Sequence, residues 1–290
     1  MKKINEIEEA QKNITCEPMI KEQFLQAVHK HQKNELQDAK KIYDAILEAI
    51  PNHLEAIYFS GLLSYQLDDF HGSKKLLSKA LDLNPNWPEA LNNRGNAFKG
   101  LGDFEEALCD YTKAIKIEPS YALALSNRGL VLNELNCFEA AIADLTKAIE
   151  IEPGNAETYY KRGLIFAEHD LYENAIYDFD NALIYRPDHI NTLKARGNTY
   201  RKAKNFKNAL IDFNRIAVLK PNCPDAFLNR GAVFSQSEEL YHAIDDYNTA
   251  LKLNPLNPEA LSNRASAYEA LGLFDESLCD LNKAIALKPD

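Results

Sequence analysis

The sequence predicts an all-α fold, an α-solenoid in which helix-turn-helix hairpins stack one on the next. The first observation is a proline that recurs every 34 residues along the 290-residue chain, at Pro51, Pro85, Pro119, Pro153, Pro187, Pro221, Pro255 and Pro289. The second is a glycine with the same period, at Gly61, Gly95, Gly129, Gly163, Gly197 and Gly231. A fixed period of this length is typical of helical repeats. Because one hairpin cannot bury its own apolar face, the repeats must stack.

Each repeat predicts two helices, A and B, as the third repeat shows. Pro88 suits the first turn of helix A, Gly102 suits the turn, and Pro119 ends helix B. Gly95 and Ala107 have almost no side chain, so we expect the two antiparallel helices to approach closely there. A large apolar residue four positions after the alanine is expected to fill the seam in every repeat: Tyr43, Leu77, Tyr111, Leu145, Phe179, Phe213, Tyr247 and Leu281.

The repeats divide the chain into three segments. Residues 1–19 lie outside the period and are predicted to be an N-terminal tail or a capping helix. Residues 20–87 hold two divergent repeats, and residues 88–290 hold six regular ones. No further repeat follows helix B of the eighth repeat, which carries Leu278, Leu281 and Ile285. Exposed apolar surface at a solenoid end favours association, so we expect the chain to self-associate through this uncapped C-terminal repeat.

An arginine precedes the glycine position in the six regular repeats, at Arg94, Arg128, Arg162, Arg196, Arg230 and Arg264. An aspartate follows sixteen residues later, at Asp110, Asp144, Asp178, Asp212, Asp246 and Asp280. The first two repeats lack both residues. This joint presence and absence predicts a partly buried ion pair between helices A and B, in which loss of one partner would strand a charge. The alternative is that the arginines form an anion-binding stripe.

An asparagine stands one residue before the arginine in four repeats, at Asn93, Asn127, Asn229 and Asn263, with Lys161 and Ala195 in the two repeats between. Asparagine is a poor helix former, so its recurrence within a helix needs a reason. Its amide offers donors and an acceptor that match an extended peptide backbone. We therefore expect these amides to lie in a row and bind a peptide; the alternative is that asparagine only suits a solvated helix.

Basic and amide side chains gather on helices A of the fifth and sixth repeats: Lys161, Lys194, Asn198, Arg201 and Lys202. Such a patch in an acidic protein favours an acidic peptide segment or a C-terminal carboxylate as ligand. The alternative is an ordinary solvated surface.

Composition and motifs exclude several classes of function. The net charge of −10 argues against nucleic acid as a partner, since a nucleic-acid binder needs a basic face. No run of 18 apolar residues exists, so we expect no membrane span. The five cysteines form no metal-ligand pattern, and no nucleophile has a matching base, so we expect no metal, no cofactor and no enzyme activity. The cysteine usage suits a reduced, cytoplasmic protein.

The recurring pattern of small residue, large apolar residue, alanine and proline strongly resembles the tetratricopeptide repeat, over residues 20–290. This resemblance implies a right-handed superhelix with helices A lining the concave side. It also implies a non-enzymatic scaffold or adaptor for protein–protein interaction, whose concave groove binds an extended peptide, including an acidic one.

Three finer resemblances bear on the function. The asparagines resemble the ladder of O-linked N-acetylglucosamine transferase, and the first two repeats resemble the opening of SPINDLY-like transferases. Lys194, Asn198 and Asn229 resemble part of the carboxylate clamp of chaperone-binding tetratricopeptide domains, whose remaining basic positions fall on Glu259 and Asn263 here. The alternative function is therefore the substrate-binding arm of a glycosyltransferase whose catalytic domain is absent from this chain.

Overall fold

The computed structural model describes residues 18–288, and within them the chain is helical, with no strand. The chain forms two compact units, Met1–Ile151 (unit 1) and Glu152–Asp290 (unit 2). In unit 1 the helices are α1, described over 18–32, α2 (Leu36–Ala49), α3 (Leu54–Gln66), α4 (Phe70–Leu83), α5 (Pro88–Leu101), α6 (Phe104–Ile117), α7 (Ala122–Glu134) and α8 (Phe138–Ile151). In unit 2 they are α9 (Ala156–Glu168), α10 (Tyr172–Tyr185), α11 (Ile190–Lys202), α12 (Phe206–Leu219), α13 (Pro224–Gln236), α14 (Leu240–Leu253), α15 (Pro258–Ala270) and α16 (Phe274–Leu287).

Odd-numbered helices are the predicted helices A and even-numbered helices the predicted helices B. Within each unit, from α2 onward, every helix packs against the next one along the chain. Each unit is thus a stack of helical hairpins, which confirms the α-solenoid architecture. The predicted tail or capping helix over 1–19 lies outside the described residues, except that residues 18 and 19 belong to α1.

The seam within each hairpin is built around the periodic glycine. A Cβ atom at Gly95 would lie 2.7 Å from Cε1 of Tyr111, and one at Gly163 would lie 2.7 Å from Cε1 of Phe179. The glycine is therefore needed because the large side chain of helix B lies directly over the backbone of helix A. Ala107 is fully buried, as expected. The close approach that was predicted between two small residues is more accurately a contact between the glycine and the ring.

Every hairpin turn contains one residue in the left-handed backbone region, where φ is positive. These eight residues are Asn34, Asp68, Gly102, Asn136, Asp170, Lys204, Glu238 and Gly272, with φ between 57° and 81°. A left-handed residue just after a helix reverses the chain and lets the last backbone carbonyls of that helix find donors. At the α5–α6 turn, for example, the backbone N–H of Asp103 donates to the carbonyl oxygen of Phe98 at 2.9 Å.

None of the described helices is both long and apolar enough to cross a membrane.

Candidate functional site

The predicted ion pairs between helices A and B are present in all six regular repeats. Arg94 donates from Nε to Asp110 Oδ2 at 2.7 Å and from Nη2 to Asp110 Oδ1 at 2.8 Å. The same two-pronged geometry recurs in the other five repeats. The aspartates are buried, and Asp178 is fully so. The structural interpretation is confirmed, and the alternative of an anion-binding arginine stripe is wrong because these guanidinium groups already face carboxylates.

Burial and pairing act in opposite directions on these groups. The hydrogen bond to Asp110 raises the pKa of the Arg94 guanidinium, so this arginine stays charged. Burial raises the pKa of the Asp178 carboxyl, and the hydrogen bond from Arg162 opposes that shift. A buried carboxylate of this kind is stable only while its partner is in place.

Five of the six arginines also make a third hydrogen bond, which was not predicted from the sequence: Arg94, Arg128, Arg196, Arg230 and Arg264. The Nη1 atom of Arg94 donates to Ser78 Oγ at 3.2 Å, and that of Arg230 donates to Asn214 Oδ1 at 2.8 Å. In both cases the acceptor lies on helix B of the preceding repeat. The arginine therefore joins its own hairpin to the one before it. The signal was available in the sequence, since the acceptors share the 34-residue period: Ser78, Thr112, Asp180, Asn214 and Asn248.

The two asparagines of the predicted ladder in unit 1 have partners inside the protein. Asn93 donates from Nδ2 to the Tyr58 hydroxyl oxygen at 2.8 Å. Asn127 is buried and donates from Nδ2 to Asn92 Oδ1 at 2.9 Å. Both bonds join helices A of successive repeats. Because Asn92 and Asn127 are both buried, the bond between them is a packing contact within the stack of unit 1.

The two ladder asparagines in unit 2 are placed differently. Asn229, on α13, donates from Nδ2 to the backbone oxygen of Asp225 in its own helix at 2.6 Å. Its side chain is half-buried, as is that of Asn263 on α15. Neither is bonded to an asparagine of a neighbouring repeat among the hydrogen bonds of the described residues. These two amides therefore remain candidates for contact with a ligand.

A cleft of about 180 Å³ opens between α11 and α13 and brings two predicted site residues together. Its polar lining includes Lys194, Asn229, Lys220, Asn191 and Asp225. The Lys194 Nζ atom lies 4.0 Å from Asp225 Oδ2, and both side chains are about half exposed. Such an exposed pair is weak, so the Lys194 ammonium is available to an anionic ligand.

The other predicted basic-patch residues follow Lys194 along one helix. Asn198 and Arg201 lie on α11, four and seven residues after Lys194, and Lys202 at the end of α11 is exposed. The Asn198 Oδ1 and Arg201 Nε atoms are shielded from solvent without a hydrogen-bond partner. Lys161 is half-buried on α9. In the described part of the chain, no group of three His, Cys, Asp or Glu side chains is arranged to hold a metal ion.

Comparison with family models identifies the repeat. A tetratricopeptide repeat model matches residues 88–121, a second repeat model matches residues 129–170 and 236–272, and a third matches residues 258–290. These repeats are tetratricopeptide repeats. A search of curated proteins finds no match for the chain.

Solved structures share the fold at low sequence identity. One is YrrB, described as a tetratricopeptide protein with an unusual peptide-binding site: 22% identity, TM-score 0.54, over 64% of this chain and 95% of that one. Another is a tetratricopeptide repeat protein from Parabacteroides merdae: 18% identity, TM-score 0.62, over 89% and 98%. A third is the APC/C hetero-tetramer Cut9-Hcn1: 15% identity, TM-score 0.60, over 91% and 52%. At these identities the likeness shows the fold alone.

Proposed function

We propose that this chain is a non-enzymatic scaffold that binds an extended peptide of a partner protein on the helix A surface of unit 2. The observation that carries the proposal is the cleft where Lys194 of α11 and Asn229 of α13 meet. An amide supplies donors and an acceptor for a peptide backbone, while the ammonium group selects an acidic side chain or terminus. YrrB, which shares the fold, is described as a tetratricopeptide protein with a peptide-binding site, and this supports the same class of function here.

The proposed contact set in unit 2 consists of residues on helices A of successive repeats: Lys161, Lys194, Asn198, Arg201, Lys202, Asn229 and Asn263. Asn93 and Asn127 belong to unit 1 and already bond to neighbouring repeats, so we assign them to the stability of that stack. Because the chain has a net charge of −10, it can attract an acidic ligand only at a local basic patch. The basic residues among the predicted site residues form such a patch. On the cysteine usage alone, we propose that the protein is cytoplasmic.

The proposal predicts different consequences for amide and basic substitutions. Asn229→Ala and Asn263→Ala together should weaken every bound peptide similarly, by about 0.5 to 1.5 kcal/mol for each net hydrogen bond lost. Lys194→Ala should weaken mainly acidic peptides and reduce the salt dependence of binding. The experiment is a peptide array probed with each protein, followed by calorimetry on the peptides that bind wild type best.

A matched control is available on helix B. Asn181 of α10 donates from Nδ2 to the backbone oxygen of Tyr177 at 2.8 Å, as Asn229 does to Asp225. Asn181→Ala therefore removes the same local bond on the other helix of a hairpin and should leave peptide affinity unchanged. If the control and the Asn229/Asn263 variant lose affinity equally, or neither does, the helix A amides do not bind the peptide.

The alternative function, the substrate-binding arm of a glycosyltransferase, rests on the resemblance of the asparagine ladder. That ladder is shortened by the internal bonds of Asn93 and Asn127. Its test is whether the chain, added to a transferase, raises modification of the same peptides that it binds alone. An unchanged rate of peptide modification would exclude this function and would leave the scaffold proposal standing.

A further inference from the structure

The turn between α11 and α12 has the opposite charge from the corresponding turn one repeat earlier. Lys202 ends α11, Lys204 forms the turn and Lys207 lies in the first turn of α12, and all three are exposed. At the same positions of the fifth repeat stand Glu168, Asp170 and Glu173. The sequence from residue 189 to residue 211 contains six lysines and arginines and no aspartate or glutamate. In a chain of net charge −10, this is a concentrated basic segment.

Lys204 occupies a backbone conformation that suits other residues better. Its φ is 57°, in the left-handed region. Six of the other seven hairpin turns place Asn, Asp or Gly there, and the seventh places Glu238. Glycine, asparagine and aspartate adopt this conformation readily, whereas a long side chain is disfavoured. The turn is otherwise regular, since the Lys204 N–H donates to the Arg201 carbonyl oxygen at 3.0 Å.

Lys207 is also at an unfavourable place. The first turn of a helix carries partial positive charge from its free N–H groups, so acidic residues are stabilising there and basic ones are not. Four other helices B follow that rule at this position, with Glu105, Glu139, Glu173 and Asp275. In the described residues, the side chains of Lys202, Lys204 and Lys207 form no ion pair that would offset these costs.

Residues that break local rules without a gain for the fold are expected at functional positions. We propose that the α11–α12 turn binds an acidic segment of the partner, adjacent to the peptide held on the helix A surface. The inference rests on the proposed function, because α11 contributes to both. From Lys194 to Lys202 the helix rises about 12 Å, which an extended peptide covers in about four residues. The ligand is therefore a short acidic run that begins about four residues along the peptide from the group bound at Lys194.

An acidic peptide fits the charges of this chain better than a nucleic acid or a membrane does. A polyanion that extends over many residues would meet the acidic surface on either side of the turn, including Glu168, Glu173 and Glu238. A short acidic run contacts the lysines alone. The patch is thus matched in length to a peptide.

The test transplants the turn of the fifth repeat into the sixth. In the triple variant Lys202→Glu, Lys204→Asp and Lys207→Glu, the local conformational and helix-terminal penalties are removed. We expect an unchanged or higher melting temperature together with weaker acidic-peptide binding. The probes are fluorescein-labelled peptides that carry a groove sequence selected from the array, followed either by five glutamates or by five glutamines. Affinity of the triple variant for the glutamate peptide should fall roughly tenfold at low salt, and the difference should shrink as salt is added.

A control variant has the same change in net charge at sites far along the sequence from the turn. In it, three exposed lysines on other helices B are replaced by glutamate: Lys113, Lys252 and Lys283. It should bind the glutamate peptide nearly as wild type does. Equal affinity of wild type and triple variant for the glutamate peptide would overturn the inference. If the glutamine peptide still binds wild type in that case, the proposed function survives. If neither peptide binds wild type, the proposed function fails as well. Lysine-dependent binding of single-stranded DNA or of phosphatidylserine vesicles, without binding of the glutamate peptide, would also overturn the assignment.

Discussion

The arginine–aspartate pairs should be energetically coupled, and the pair of the seventh repeat offers the clearest test. Arg230 donates to Asp246 from Nε at 2.7 Å and from Nη2 at 2.6 Å. About one fifth of the Arg230 side chain is exposed, and the Asp246 side chain is almost fully buried. Removing one partner of a buried pair costs about 3 to 5 kcal/mol. Because Arg230 retains some contact with water, we expect Asp246→Ala to cost about 3 kcal/mol, the lower end of that range.

The variant that carries both Arg230→Ala and Asp246→Ala tests whether the two side chains interact energetically. Arg230→Ala should also destabilise, because it strands the Asp246 carboxylate and breaks the bond to Asn214. The double variant should cost less than the sum of the single variants, with a coupling energy of about 1 to 3 kcal/mol. The second repeat lacks the pair and has Ser60 and Leu76 at these positions. Arg230→Ser with Asp246→Leu should therefore recover much of the lost stability, since an apolar replacement of a buried pair is often tolerated.

The assay is urea unfolding followed by circular dichroism, and an exposed pair in the same unit is the control. Arg215 donates to Asp188 Oδ1 from Nη2 at 2.7 Å, with both side chains about half exposed. Its coupling energy should be below about 1 kcal/mol. Strict additivity for Arg230 and Asp246, or equal coupling in the exposed pair, would refute the reasoning that burial makes these pairs important.

Two further predictions concern the seam and the C-terminal repeat. Gly163→Leu should cost about 1 to 3 kcal/mol or more by overpacking, because a Cβ there would lie 2.7 Å from an aromatic carbon. Gly154→Leu should cost less, because a Cβ there would lie 3.8 Å from Tyr185 Cε1; equal thermal melts of the two variants would contradict this. Leu278 is 59% exposed whereas its equivalent Ile244 is 8% exposed beneath the next hairpin. We therefore expect light scattering to show concentration-dependent dimers of the 290-residue chain. The Leu278→Glu variant should not form these dimers, whereas the control variant Ile211→Glu should. A monomer at high concentration would exclude self-association.

The period of the sequence was sufficient to predict the fold because each repeat obeys the same local rules. Pro88 begins α5 as predicted, and the arginine and aspartate positions paired as their joint absence from two repeats suggested. These features depend on contacts inside one repeat, or on contacts between equivalent positions of successive repeats, so the period alone predicts them.

The asparagines were harder to assign because their environment depends on a neighbour that is not periodic. Asn93 meets Tyr58 and Asn127 meets Asn92, whereas Asn229 bonds to its own helix. The same residue type at the same register is therefore buried in one repeat and half-exposed in another. The lysines of the α11–α12 turn were also missed as a group, since their unusual character depends on the backbone angle of Lys204 and on where α12 begins.

A peptide bound as proposed contacts the helix A amides of unit 2, and nuclear magnetic resonance can observe those amides directly. The measurement is the shift of the side-chain Nδ2–H signals on addition of the best array peptide. The signals of Asn229 and Asn263 should move in proportion to peptide bound, while that of Asn181 stays in place. A peptide that binds and shifts Asn181 as much as Asn229, or shifts neither helix A amide, would contradict the proposed site.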